Sequence, residues 1–237
     1  MKARLMTAML ALMLGASMAP RAEDIDLFVG AQASSTDLPS VLIILDNTAN
    51  WTQAFTNEMS ALTSVFASLP TDKVRVGVMF AAETSKADNN VQGGYVRAAI
   101  RPMNEVNKKA YSEMFAYMDV NNDKGNSGQS SLVMAEAYRY FSRGIPRSGN
   151  YKAKTDYKGN TGADWSKSAT SDDSKKAMQA IYALDGNALD SKTATQYNPY
   201  DKDGSGCAKK FIIYISNGPS QDSSSIISDA TAMLKQA

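Results

Sequence analysis

The side chains best equipped to hold a ligand in this chain are oxygen donors, and they cluster where apolar runs end. Asp46, Thr48 and Asn50 alternate directly after the run VLIIL at 41–45. Ser130 lies in the small polar stretch GNSGQSS, and Ser216 and Asn217 follow the run FIIYI. A carboxylate, hydroxyls and amides together make a hard donor set, the kind Mg²⁺ takes in near-octahedral array while keeping some of its water. Imidazole chemistry is closed, because the chain has no histidine, and its single cysteine, Cys207, cannot make a metal cluster. Ser-His-Asp and Cys-His catalysis therefore lack their base, and zinc sites of the His/Cys kind lack their ligands.

For such oxygens to meet, the elements carrying them must end on one edge. VLIILD (41–46) reads as a strand buried on both faces, with Asp46 at its carboxyl end, where open α/β sheets gather their ligands. Thr52 to Leu69 has Phe55, Met59, Leu62, Val65, Phe66 and Leu69 at helical spacing, and Pro70 closes it. KVRVGVMFAAE (73–83) and YVRAAIRPM (95–103) read as two strands paired antiparallel across a turn region. Asn104 to Tyr117 predicts a helix that turns Val106, Ala110, Met114 and Tyr117 to one face. SLVMAEAYRYFSRG predicts another, ended by Gly144 and Pro146, with AYRYF half in the core.

Residues 148–206 are rich in Lys, Ser, Asn and Asp with one helical patch at 171–184, the pattern of a polar surface insertion. KKFIIYISNG (209–218) then supplies another buried strand, and Asp222 to Gln236 a last helix. The alternation predicts an α/β fold: a doubly wound, mostly parallel sheet flanked by helices. Four strands are few for such a sheet, and the pattern stops after a strand-helix pair, as if cut short after the fourth strand.

The first residues, MKARLMTAMLALMLGASMAPRAED, have a basic start and an apolar stretch too short for a comfortable membrane span. They predict a signal peptide over 1–22, cleaved after Ala22, with Ala19 and Ser17 as alternative sites and a retained anchor as the rival. Residues 23–40 form a lead-in, and 41–237 the domain. An exported chain leaves Cys207 unpaired in an oxidising compartment. With 25 basic and 24 acidic residues, net charge is +1 and no basic run appears, which argues against a nucleic-acid partner. DVNNDKG (119–125) and YDKDGSG (200–206) hint at calcium loops but lack glycine at the sixth position with glutamate at the twelfth, so solvated turns are expected.

DNTAN (46–50) resembles the Asp-x-Ser-x-Ser motif of von Willebrand factor type A domains, which build a metal-ion-dependent adhesion site. GQSSL (128–132) matches the family's Gly-x-Thr-x-Leu with Ser130 at the threonine, and SNG (216–218) its Asp-Gly turn with Asn217 at the aspartate. EDIDLF, AEAYRYF and CAKKFIIYISNGPSQD are similar to the N-terminal domain of PilY-type proteins, tip adhesins and biogenesis factors of type IV pili. The resemblance implies metal positions Asp46, Thr48, Asn50, Ser130 and Asn217, with an acidic group of the ligand completing the shell. Only Asp46 among them is a carboxylate, so weak Mg²⁺ binding or none is expected, the family site being degenerate here.

The resemblance further implies an exported binding or adhesion module, not an enzyme. It would sit in the periplasm, at the pilus tip or on the surface of a Gram-negative bacterium, with minor pilins or a surface or host ligand as partner. A stand-alone secreted ligand-binding protein of the same fold is the alternative. VLIILDNT and IIYISNG also resemble haloacid-dehalogenase phosphotransferases, with Asp46 as nucleophile and Ser216 on the phosphate. The acidic pair that such a site needs for Mg²⁺ has no counterpart after Asp222, where Asp229 is the sole acid.

Overall fold

Pro39 leads straight into β1 (Ser40–Leu45), whose unalternating apolar run is buried on both faces. Leu42 and Ile44 point to one layer; Val41, Ile43 and Leu45 point to the other. A computed structural model describes residues 38–48, 52–84, 91–125, 128–147, 152–162, 172–198, 208–216, 218 and 222–236, all within the unit Ala33–Ala237. β1 pairs in parallel with β2 (Arg75–Glu83) on one side and β4 (Lys210–Ile215) on the other. β2 pairs antiparallel with β3 (Val91–Pro102), as expected from the sequence. The order is β3-β2-β1-β4, a mixed sheet flanked by helices in an α/β fold.

On one face lie α1 (Thr52–Ser68), α2 (Glu105–Ala116) and α4 (Asp172–Ala183). They press Phe55, Phe66, Tyr111, Met114 and Ile181 onto Val76, Val78 and Phe80 of β2. On the other face α3 (Ser130–Ser142) sets Val133, Ala137 and Tyr140 over Met79, Val96 and Ile100, and α5 (Ser224–Lys235) packs outside it through Ala230 and Met233. β2 and β3 approach so closely that a Cβ on Gly77 would fall 2.6 Å from Ile100 Cγ1 and 2.9 Å from its amide nitrogen. The Ile100 amide donates instead to the Tyr140 hydroxyl at 2.7 Å, so α3 satisfies a group the irregular ladder leaves over. Among the described residues no helix is long and apolar enough to cross a membrane.

Four expectations need correction. α2 buries Ala110 and Met114 as expected but not the two ends of the predicted face: Val106 is 67% exposed and Tyr117 40%, while Asn107, Lys108, Tyr111 and Phe115 join the inner side. Two aromatic rings outweigh one valine there, and the Tyr111 hydroxyl gains the Ala99 carbonyl as acceptor. Val65 of α1 is likewise exposed.

The insertion is more than surface. Lys154, Asp156, Met178, Ile181, Tyr182, Leu189 and Tyr197 are all buried, and they fill both layers of the core. Finally, β4 is not a buried strand: Phe211, Ile212 and Ile213 are 38%, 37% and 49% exposed. Among the described residues it pairs only with β1, and only Tyr214 and Ile215 at its carboxyl end reach the core.

Candidate functional site

The carboxyl ends of the parallel strands β1 and β4 bring the predicted oxygens to one edge. The Asp46 amide donates to the Ile215 carbonyl at 3.0 Å, which carries the β1–β4 pairing one residue past the strand. That step turns the Asp46 side chain toward Ser216, whose Oγ donates to Asp46 Oδ2 at 2.7 Å. Asp46 is 6% exposed, and its other oxygen, Oδ1, is buried without a hydrogen-bond partner among the described residues. A carboxylate oxygen left like this costs more than one that is bonded or hydrated.

Asn47 holds the turn beside it. Its side-chain oxygen accepts from the Ala82 amide at 2.9 Å, and its Nδ2 donates to the carbonyls of Ala82 (2.8 Å) and Asp123 (2.7 Å). The end of β1 is thereby locked to the end of β2 and to the loop after α2. Thr48 follows, half-buried, with its methyl toward Gly128: a Cβ on Gly128 would lie 2.9 Å from Thr48 Cγ2 and 3.0 Å from Asp46 Oδ1. Glycine at 128 is what lets the loop before α3 pass the carboxylate.

Ser130 opens α3 and is bonded to Tyr214 Oη at 2.9 Å, at the end of β4. Burial, with the Asp46 charge adding to it, pushes the Tyr214 hydroxyl above its ordinary value, so it stays protonated. Asp222 Oδ2 accepts from both the amide (2.9 Å) and the hydroxyl (2.5 Å) of Ser131, serving the start of α3 where Gln129 gives no side-chain cap. Asp46, Thr48 and Ser130 thus lie along one edge with Ser216. Asn50 and Asn217, like Cys207, fall outside the described residues.

Sequence reasoning missed Glu58. It projects from α1 between Phe55 and Met59, on the inward stripe, and both its oxygens are buried without a hydrogen-bond partner among the described residues. Burial, and after it the charge of Asp46, raises its pKa from 4.5 to about 7. The signal was present: residue 58 falls on the same helical face as 55, 59 and 62, a position where an acid is costly without a purpose. Asp46 and Glu58, which feel each other's charge and keep unpartnered oxygens among the described residues, are donors of the kind that suits a hard cation or a donor group of a ligand. Among the described residues no group of three or more His, Cys, Asp or Glu is placed to hold a metal.

The stretch 119–125 is not the solvated turn expected, since Asn122 is 3% and Asp123 0% exposed, and the other such stretch, 200–206, falls outside the described residues. Asp119 accepts from the amides of Asn121 (2.7 Å) and Asn122 (3.0 Å), and Asp123 pairs with a buried lysine. Comparison of the chain with protein-family models, with curated proteins and with solved structures finds no match.

Proposed function

We propose that this chain is an exported binding module of von Willebrand A type, working in type IV pilus assembly or at the pilus tip. Its ligand contacts would centre on Asp46. The observation that carries the reading is the buried, unpartnered Asp46 Oδ1 at the carboxyl end of β1, beside Thr48, Gly128 and Ser216. A strand order of β3-β2-β1-β4 with Asp46 at a central strand end is the arrangement in which open sheets take ligands. Thr48, Ser130 and Asp46, with Asn50 and Asn217, form the metal set the motif resemblance implies. Glu58 adds a second acid that partly offsets the amides in that set. Minor pilins, or an acidic group on a surface or host ligand, are the expected partners.

Two linked measurements test this. Calorimetric titration of the mature protein with Mg²⁺, Mn²⁺ and Ca²⁺ should show weak, saturable binding that Asp46→Ala abolishes. Deleting the gene should impair piliation or pilus-dependent adhesion, with wild-type protein restoring it and Asp46→Ala failing to. Unchanged piliation and adhesion in the deletion strain would overturn the pilus assignment. Equal complementation by Asp46→Ala would remove the site from the function.

A further inference from the structure

Behind the turn that Asn47 holds, Lys154 and Asp123 form a buried pair, and a third buried ionisable group, Glu83, is held on the Lys154 backbone. Lys154, Asp123 and Glu83 each have no solvent exposure. They arrive from separate parts of the chain: Glu83 ends β2, Asp123 belongs to the loop after α2, and Lys154 belongs to the insertion. Lys154 Nζ is 3.0 Å from Asp123 Oδ1 and also donates to Thr84 Oγ1 at 2.5 Å and to the Asn122 carbonyl. Glu83 Oε1 accepts from the Lys154 amide at 2.8 Å, while its Oε2 is buried with no hydrogen-bond partner among the described residues.

Burial lowers the Lys154 amine, against the pull of Asp123, and burial raises the Glu83 carboxyl despite its bond to the Lys154 amide. A desolvated lysine is a nucleophile, and a raised carboxyl is a proton carrier. Groups held in contact in a dry site react as though present at roughly 10⁵ M or more. Amide formation between an amine and an acid, uphill in water, needs that confinement and the expulsion of the water it makes.

We propose that Lys154 and Asp123 are joined in the folded protein by an intramolecular amide between Nζ and Cγ. The ammonium of Lys154 passes one proton to a carboxylate, and the freed lone pair attacks Asp123 Cγ, forming the N–C bond. The tetrahedral carbon then expels one of its oxygens. That oxygen departs as water with two protons, both originally on Nζ, leaving one hydrogen on the amide. Ammonium plus carboxylate thus becomes amide plus water, with charge conserved and no outside reagent. Uptake and return of that proton are assigned to Glu83, whose Oε2 has no hydrogen-bond partner among the described residues, and Glu83 ends the step unchanged.

The bond would fasten the insertion to the loop that Asn47 also grips, beside Asp46. It does not depend on Asp46 binding anything, so it stands or falls apart from the proposed function.

Peptide mapping by mass spectrometry of the full chain, purified, unfolded and digested, decides it. The peptide carrying Asp123 should be found joined to the peptide carrying Lys154, lighter than their sum by one water. Asp123→Asn should give the identical linked product with loss of ammonia, a fingerprint that a mere ion pair does not leave. Lys154→Met and Asp123→Ala should show no link, and Glu83→Gln a linked fraction at least ~10-fold lower. Separate linear peptides from the wild-type protein, with the Lys154 amine open to acylation after unfolding, would overturn the proposal. That result is read on the unmutated chain, so a variant that fails to fold does not blur it. Full linkage in Glu83→Gln would overturn the proton role given to Glu83.

Discussion

Asp156 and Asp46 are both buried aspartates, 0% and 6% exposed, yet they are treated differently. Asp156 Oδ2 accepts from the Ala99 amide and from Arg101 Nη1, each at 2.7 Å, and its Oδ1 accepts from Asn187 at 2.8 Å. Asp46 has one donor, Ser216, and one bare oxygen. The first carboxylate is spent wholly inside the fold, where it docks the insertion onto β3. The second keeps capacity in reserve at a strand end. Burial alone therefore says little about role; what separates the two is how many of the oxygens are satisfied.

The strongest test of that contrast is Asp156→Ala. It takes away the only carboxylate paired with the buried Arg101 guanidinium among the described residues, leaving that charge to neutral acceptors such as the Tyr111 hydroxyl and the Asp185 carbonyl. It also removes the acceptor of the Ala99 amide, and losing one partner of a buried pair costs about 3–5 kcal/mol. Denaturant unfolding should show a loss of that size. A loss under about 1 kcal/mol would mean the network is a passenger, and the comparison would break.

Glu58 is the next lever, on the opposite side of the contrast. Its pKa rises from 4.5 in the open chain to about 7 in the fold. Below the lower value it is protonated in both states and costs nothing. As pH rises through that window the unfolded chain gives up the proton first, so the fold loses stability, fully so above about pH 7. With partial solvent screening the loss is about 1–2 kcal/mol. Glu58→Gln should match the parent near pH 4 and be more stable by that amount near pH 8, in urea midpoints. Parallel curves at all pH would show that Glu58 is already satisfied.

How far the sequence announced all this follows from what each signal measures. β1, α1, α3 and α4 were legible because burial against a neighbour leaves a period in the chain. Asp46 and Ser130 were legible because they stand where such periods end. The Lys154–Asp123 and Arg101–Asp156 pairs were not. Lys154, Asp123 and Asp156 look like ordinary charges in polar loops and Arg101 like a charge near the end of a strand, and they bury only because partners 31 and 55 residues away meet them. β4 misled for the converse reason: an apolar run promises burial only if something lies on both sides of it. α2 misled because Val106 and Tyr111 both fit a helical face, and which one wins depends on the volume waiting below.

Gly128→Ala is a smaller and sharper probe of the reserve at Asp46. The new methyl would sit 3.0 Å from the bare Oδ1 and 2.9 Å from the Thr48 methyl, both side-chain ends with some room to move. Stability should fall by only about 1 kcal/mol, while cation or ligand binding at Asp46 should be lost in calorimetric titration. Binding that survives would place the bare oxygen outside the ligand's reach.

The smallest effect belongs to Asp229→Ala, which calibrates the rest. Arg147 and Asp229 form the same chemical pair as Arg101 and Asp156, at 3.3 Å instead of 2.7 Å, with side chains 46% and 54% exposed instead of 2% and 0%. Water screens the attraction, both side chains lose entropy to hold it, and neither is stranded when the other goes. The expected change is about 0–0.5 kcal/mol in denaturant unfolding, shrinking further in salt. If this surface pair instead cost as much as Asp156, charge pairing as such would be stabilising the fold. The distinction between satisfied and reserved carboxylates would then lose its physical basis.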